Sequence, residues 1–256
     1  MPRPSWLPLA ALLLACARPA DRPARDTTAA IQPPAGPAPR AIVTVLYHHP
    51  TSHGAFEQYY RATHLPLVGA RQAEIGHVRT DLVLFDAAPD GKPAEFYREA
   101  ELYFPDLAAL RRGIATEGFQ AAGGDLPRFA SGGFAVLIGE ETSPPTEPAA
   151  EPEAVFTVLY REPADTAAFE RYYAATHVPL VQRHAAAIGF TRAELTRFVS
   201  NLDGSKRSYY RQAQLYFANS EALRRGIATP EFHTVASDLA NFATGGFIIM
   251  IGHETR

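Results

Sequence analysis

His64 and His177 are the side chains of this 256-residue chain best suited to proton transfer. An imidazole titrates near pH 6.5, so at neutral pH it can take up or release a proton. Both occur in one setting: "YYRATHLPLV" spans residues 59–68 and "YYAATHVPLV" spans 172–181. Tyr60 and Tyr173 precede the histidines by four residues, which places each pair near one helix face. The phenols of Tyr59, Tyr60, Tyr172 and Tyr173 could orient a substrate oxygen or donate to it. Tyr47 and Tyr160 end an apolar run just upstream and could line a pocket or merely pack. Arg98 and Arg211 could hold an acidic ligand group, although charges on a strand edge are the simpler reading. The histidines also have a structural alternative, in which each bonds a backbone carbonyl and ends its helix.

Other chemistries lack a pattern. No Gly-x-Gly-x-x-Gly, Walker or HExxH string occurs, nor a c-type haem attachment motif. His48, His49 and His53 cluster, but their counterparts are Arg161, Glu162 and Thr166, so a repeated metal site is not expected. No metal or other cofactor is called for. "EFYREAELYF" places Tyr97, Glu99, Glu101 and Tyr103 on one strand face, and Arg98, Ala100, Leu102 and Phe104 on the other. The matching stretch has Gln212 and Gln214 for the two glutamates. Hydrogen bonding survives that exchange, whereas carboxylate chemistry does not.

The elements that must position these residues come twice. Residue n and residue n+113 align without a gap from Thr44 to Gly139, with about half the positions identical. "TVLY", "LRRGIAT" and "GGF" recur at that spacing. Each copy reads strand, helix, strand, strand, helix, strand. In the first copy the strands fall near 42–48, 77–85, 95–104 and 133–139. The first helix is expected over 52–63, with apolar and aromatic positions at Phe56, Tyr59, Tyr60 and Thr63, and over 165–176 in the second copy. Pro66 and Pro179 are expected to close it. Helical stretches at 106–113, capped by Asp106, and 117–129 follow. The arginines of "LRRGIAT" read as a solvated helix face. The order βαββαβ is the ferredoxin-like unit. Its helix-free sheet face must be covered, and a second copy is the natural cover. The expected fold is α+β: tandem ferredoxin-like repeats over 41–140 and 154–256, joined by a linker at 141–153, closing an intramolecular dimeric α/β barrel.

The string Phe56-x-x-Tyr59-Tyr60-x-x-Thr63-His64-x-Pro66-Leu67-Val68 after "VLYHHP" resembles the EthD-like family, and residues 169–181 after "VLYREP" do so equally. The resemblance implies a dimeric α/β-barrel fold. At the fold level it is similar to polyketide cyclases, muconolactone isomerases, antibiotic-biosynthesis monooxygenases and haem-handling barrels, in which His64 or His177 could also be a haem ligand. It supplies no reaction by itself. The expected function is a cofactor-independent isomerase, cyclase or lyase acting on a small aromatic or lactone-like molecule, with His64 and His177 as acid/base groups. The alternative is a non-catalytic small-ligand-binding protein.

Composition bounds the partners. Net charge is −3, with 24 basic and 27 acidic residues, which gives no footprint for nucleic acid. The sole cysteine, Cys16, ends the apolar run "WLPLAALLLAC" after Arg3. Leu13-Leu14-Ala15-Cys16 resembles a bacterial lipobox, so residues 1–15 read as an export signal and Cys16 as a lipidation site. The stretch 16–40 is rich in proline and alanine and reads as a disordered tether. The chain is therefore expected at the cell envelope, on a lipid anchor.

Overall fold

The computed structural model describes residues 40–151 and 153–255. The proposed signal, Cys16 and nearly all of the tether lie outside the described residues. The described residues form eight strands: β1 (Ala41–Tyr47), β2 (Arg79–Ala87), β3 (Arg98–Phe104), β4 (Phe134–Glu141), β5 (Ala154–Tyr160), β6 (Arg192–Asn201), β7 (Arg211–Phe217) and β8 (Phe247–Glu254). They close one antiparallel barrel in the order β1-β3-β2-β8-β5-β7-β6-β4. The repeats meet at two seams, β2 with β8 and β4 with β6. Each repeat alone would leave two bare strand edges and one bare sheet face; closure removes both at once.

Alternation along the strands sorts the side chains. Leu46, Val83, Phe85, Leu137, Val155, Leu159, Phe198 and Met250 fill the barrel interior. Val43, Val45 and Phe104, or Phe156, Val158 and Phe217, face outward beneath the helices. The alternation slips once per repeat. Tyr97 and Arg98 both reach Glu57 on the helix side, as Tyr210 and Arg211 reach Glu170. Tyr97 is thus not on the face of Glu99 and Glu101, because the backbone is offset where Tyr97 N–H bonds Tyr47 O.

The first helix begins as α1 (His53–Tyr59), with Ser52 Oγ accepting from Ala55 N–H. It does not stop at the proline. A π-helical turn, Tyr60–His64, leads into α2 (Leu65–Ala70) and α3 (Gln72–Ile75). In the second repeat α6 (Thr166–Tyr172), a π turn at Tyr173–His177 and α7 (Val178–Ile188) repeat this. Pro66 and Pro179 therefore do not close the helix, contrary to the sequence expectation. Each sits in the first turn of the following helix, where a missing N–H costs little. The widened turn before it gives the ring room. Gly76 and Gly189, at φ 81° and 80°, end the segments instead.

Helices α4 (Leu107–Ile114), capped by Asp106, and α5 (Glu117–Asp125) complete the outer layer, with α8 (Ser220–Ile227) and α9 (Pro230–Asp238) as counterparts. Arg111 and Arg112 are exposed, as expected of a solvated face.

Candidate functional site

The cleft in each repeat lies between the outer sheet face and the helices. In the second repeat Tyr160, Tyr173 and His177 share a cavity of about 420 Å³ with Phe156, Phe190, Leu195, Leu215 and Ile249. Thr142, Ser143 and Pro144, from the junction between the repeats, also line it. That volume falls within the ~300–1,000 Å³ typical of small-molecule sites. In the first repeat Tyr47, Tyr60 and His64 line the corresponding space, which has only about 60 Å³.

The histidines sit at the end of the π turn, which rotates them over the cleft. His177 packs against Tyr173 and Phe242, with ring centroids 5.6 and 4.7 Å away. His64 does the same with Tyr60 and Phe129 at 5.6 and 4.8 Å. Each imidazole is fastened by a carboxylate that sequence reading missed. His177 Nδ1 lies 2.8 Å from Asp238 Oδ2, and His64 Nδ1 lies 3.0 Å from Asp125 Oδ2. Tyr172 Oη donates to Asp238 Oδ1 at 2.7 Å, and Tyr59 Oη to Asp125 Oδ1 at 2.8 Å. Asn241 adds a third donor to Asp238 at 2.9 Å.

This arrangement favours one tautomer. With an acceptor-only carboxylate on Nδ1, the proton resides there and Nε2 keeps its lone pair. No protein partner for either Nε2 is found among the described residues. Burial holds both imidazoles below the ordinary histidine value, and the aspartates only partly offset it. At neutral pH each is a neutral base. Asp238 is disfavoured as an anion by burial, but its bonds from Asn241, Tyr172 and His177 outweigh that and hold its carboxyl below the usual range. Burial pushes the Tyr60 and Tyr173 phenols up to about 12, so both stay protonated donors.

The remaining sequence candidates divide. Tyr47 and Tyr160 line the clefts. Tyr59 and Tyr172 stand behind the histidines, on the aspartates, rather than on the cavity wall. Arg98 and Arg211 are not edge charges: Arg98 is 1% exposed and Arg211 5%. Arg98 grips Glu57 through two nitrogens, reaches Thr255 Oγ1 at 2.8 Å and lies over the Tyr60 ring. Arg211 treats Glu170, Thr142 and Tyr173 alike. Both buttress the tyrosines from behind the cleft. Asp125 and Asp238 had one sequence signal, an Asp-Leu pair kept at matched positions where "AAGG" faces "TVAS". Among the described residues no group of three or more His, Cys, Asp or Glu is placed to hold a metal ion.

Comparison with known proteins agrees with the barrel. An uncharacterized 11.0 kDa protein in the thcB-thcC intergenic region of Rhodococcus erythropolis is 39% identical over 98 residues, covering 38% of this chain and 91% of its own. An anthrone oxidase-like protein superposes with a TM-score of 0.60 at 10% identity, over 85% of this chain and 92% of its own. A putative monooxygenase from Fusobacterium nucleatum gives 0.57 at 9% identity, over 86% and 93%. Those two likenesses show the fold alone. Residues 48–133 and 161–246 each match the EthD domain, which together span well over half of the sequence, so the chain belongs to the EthD family as a tandem pair.

Proposed function

We propose that this EthD protein is an acid/base enzyme acting on a small, largely apolar molecule of aromatic or lactone-like character, as a cofactor-independent isomerase, cyclase or lyase. One observation carries the reading: an apolar cavity of about 420 Å³ bordered by a neutral imidazole whose Nδ1 proton is committed to Asp238. His177 Nε2 would remove a proton from an acidic C–H or O–H. The imidazolium so formed is stabilised by Asp238 and can return the proton elsewhere on the substrate. Tyr160 and Tyr173, held protonated by burial, are the donors for a developing oxyanion. His64, Asp125, Tyr47 and Tyr60 form the matching set in the first repeat. Fold neighbours named as monooxygenase and oxidase-like proteins fit the small-molecule class and say nothing of the reaction.

The test is solvent deuterium incorporation into a panel of aromatic ketones and unsaturated lactones. Incorporation by the wild type and its loss in His177→Gln, with binding retained, is the expected result. Binding without exchange across the panel would favour the second reading, a ligand carrier. Its support is the cavity wall itself, which is almost wholly apolar apart from His177, the tyrosines and a rim of Thr142, Ser143 and Gln182.

Export and lipidation at Cys16 belong to the same proposal and rest on residues 3–16 alone. Among the described residues no helix is long and apolar enough to cross a membrane. Incorporation of labelled palmitate that Cys16→Ser abolishes is the expected result, and a wild-type chain that takes up no label overturns it.

A further inference from the structure

The two clefts have the same dyad, yet their volumes differ about sevenfold, about 420 against about 60 Å³. Side-chain size at matched positions explains little of this: only Leu65, against the smaller Val178, runs in the right direction. Val43 corresponds to Phe156, Ala122 to Val235, Gly123 to Ala236 and Val136 to Ile249, so the roomier cleft has the larger residues at these positions.

One difference is what enters from the other repeat. Leu202, at the tip of the β6–β7 hairpin of the second repeat, lines the first cleft and packs on the first repeat's outer core. Its backbone N–H bonds Val136 O at 2.9 Å, which pins the hairpin across the seam. Asn201 braces the turn, its amide donating to Lys206 O at 2.8 Å and to Ser205 Oγ at 3.0 Å. The first repeat has the same turn: Ala88 N–H bonds Lys92 O, as Asn201 N–H bonds Ser205 O. The residue matching Leu202 there is Pro89. Proline has no N–H, so it cannot make the corresponding bond to Ile249 O, and its short ring does not reach as far as leucine. Pro89 is exposed, and no residue of its turn lines the second cleft.

We propose that Leu202 is an intramolecular plug that closes the first site, and that Pro89 leaves the second site open, so that one chain takes one ligand, beside His177. This rests on the cleft being a ligand site. The physical cause is a single backbone donor, present on one hairpin and absent from the other. The inference also accounts for how a duplicated chain can keep both dyads while working with one. The first copy's His64, Asp125 and Tyr59 retain their bonds because those bonds hold α1 and α5 together, whether or not a ligand enters.

The probe is N-phenyl-1-naphthylamine, an uncharged aromatic, titrated by fluorescence and counted by native mass spectrometry on the folded chain. The wild type is expected to bind one equivalent, lost in Ala213→Trp, which fills the second cleft. Leu202→Ala is expected to bind two. Pro89→Leu restores the backbone donor and a longer side chain, and is expected to weaken the single wild-type site at least tenfold. Two equivalents on the wild type, or no gain in a folded Leu202→Ala, overturns the plug. If Leu202→Ala does not fold, Pro89→Leu decides: unchanged affinity overturns the proposal, and a tenfold loss supports it. A wild type that binds no probe counts against the ligand-site reading. The plug is then still judged by whether Leu202→Ala gains one equivalent.

Discussion

At His177 two effects oppose each other. Burial favours the neutral ring, and Asp238 favours the charged one; burial prevails. A titration of the imidazole resonances should place His177 below 6.5. Asp238→Asn should lower it further, because the group that raises it is lost. A value above 6.5 in the wild type would contradict the neutral base. The sign extends to stability. A histidine whose folded pKa lies below its unfolded value binds fewer protons when folded. Its contribution is therefore present above pH 6.5 and is lost on acidification below it. With a substrate in hand, Asp238→Asn should lower turnover by about 10²-fold or more, by releasing the tautomer as well as the ring orientation. At this scale the histidines and tyrosines were legible, because a repeated short string marks them. The aspartates were not, because they arrive from a helix 61 residues downstream.

Among the elements, the π turn sets the direction of the histidine. Regular α-helix through residues 173–179 would turn His177 by about 100° per residue of register, away from Asp238. Pro179→Ala removes the ring that favours the wide turn. The expected outcome is unchanged or higher thermal stability with weakened probe binding at the second cleft; unchanged binding would show that the turn does not depend on the proline. Helix α8 offers a sharper packing test. A Cβ at Gly226 would stand 2.4 Å from Ile188 O and 2.7 Å from the Phe217 ring. Backbone cannot yield as a side-chain tip can, so Gly226→Ala should cost about 1–3 kcal/mol, read from the denaturation midpoint. Gly113 meets Ile75 O at 2.3 Å in the same way. "LRRGIAT" showed a solvated face and a buried one; it did not show what the glycine approaches.

Across the whole molecule the barrel centre carries an unusual charge arrangement. Glu99 and Glu101 are buried side by side, and the side chains that contact them are Thr44, Tyr103, Gln212 and Gln214, all uncharged. Tyr103 Oη lies 2.9 Å from Glu101 Oε2 and 2.6 Å from Glu194 Oε2. One hydroxyl has one proton to donate. Glu194 is disfavoured as an anion by burial, but Arg79 and Arg192 outweigh this and keep it ionised. Burial, with Glu99 and Glu194 close by, raises Glu101 well above the usual carboxylate range, so Glu101 is the member of this set that holds a proton. Glu99 is pushed up to about 8 by burial. A carboxyl raised in the folded state stabilises the fold below its unfolded value, and that stability is lost as pH rises through its folded value. Below pH 6.5 the histidines oppose this slope, so the loss should show between about pH 6.5 and 8 and be flattened by Glu99→Gln; a wild type whose midpoint rises between pH 6.5 and 8 would contradict this. The glutamines of the second copy now have a reason: four glutamates here would face one another with no cation bonded to Glu99 or Glu101 among the described residues.

The sequence by itself determined the duplication, the βαββαβ order, the sheet faces of most of β3, the closed pairing of two units and the histidines worth testing. All of these follow from periodicity and from apolar surface that must be covered, which are local or additive properties. Only the tertiary structure decided which carboxylate meets each imidazole, that the proline begins a new helix after a π turn, that Arg98 and Arg211 are buried, and that one cleft is open and the other filled. The π turn is a local distortion that hydrophobic periodicity does not mark; the others depend on contacts between segments many tens of residues apart, set by how the whole barrel closes rather than by any one stretch of chain.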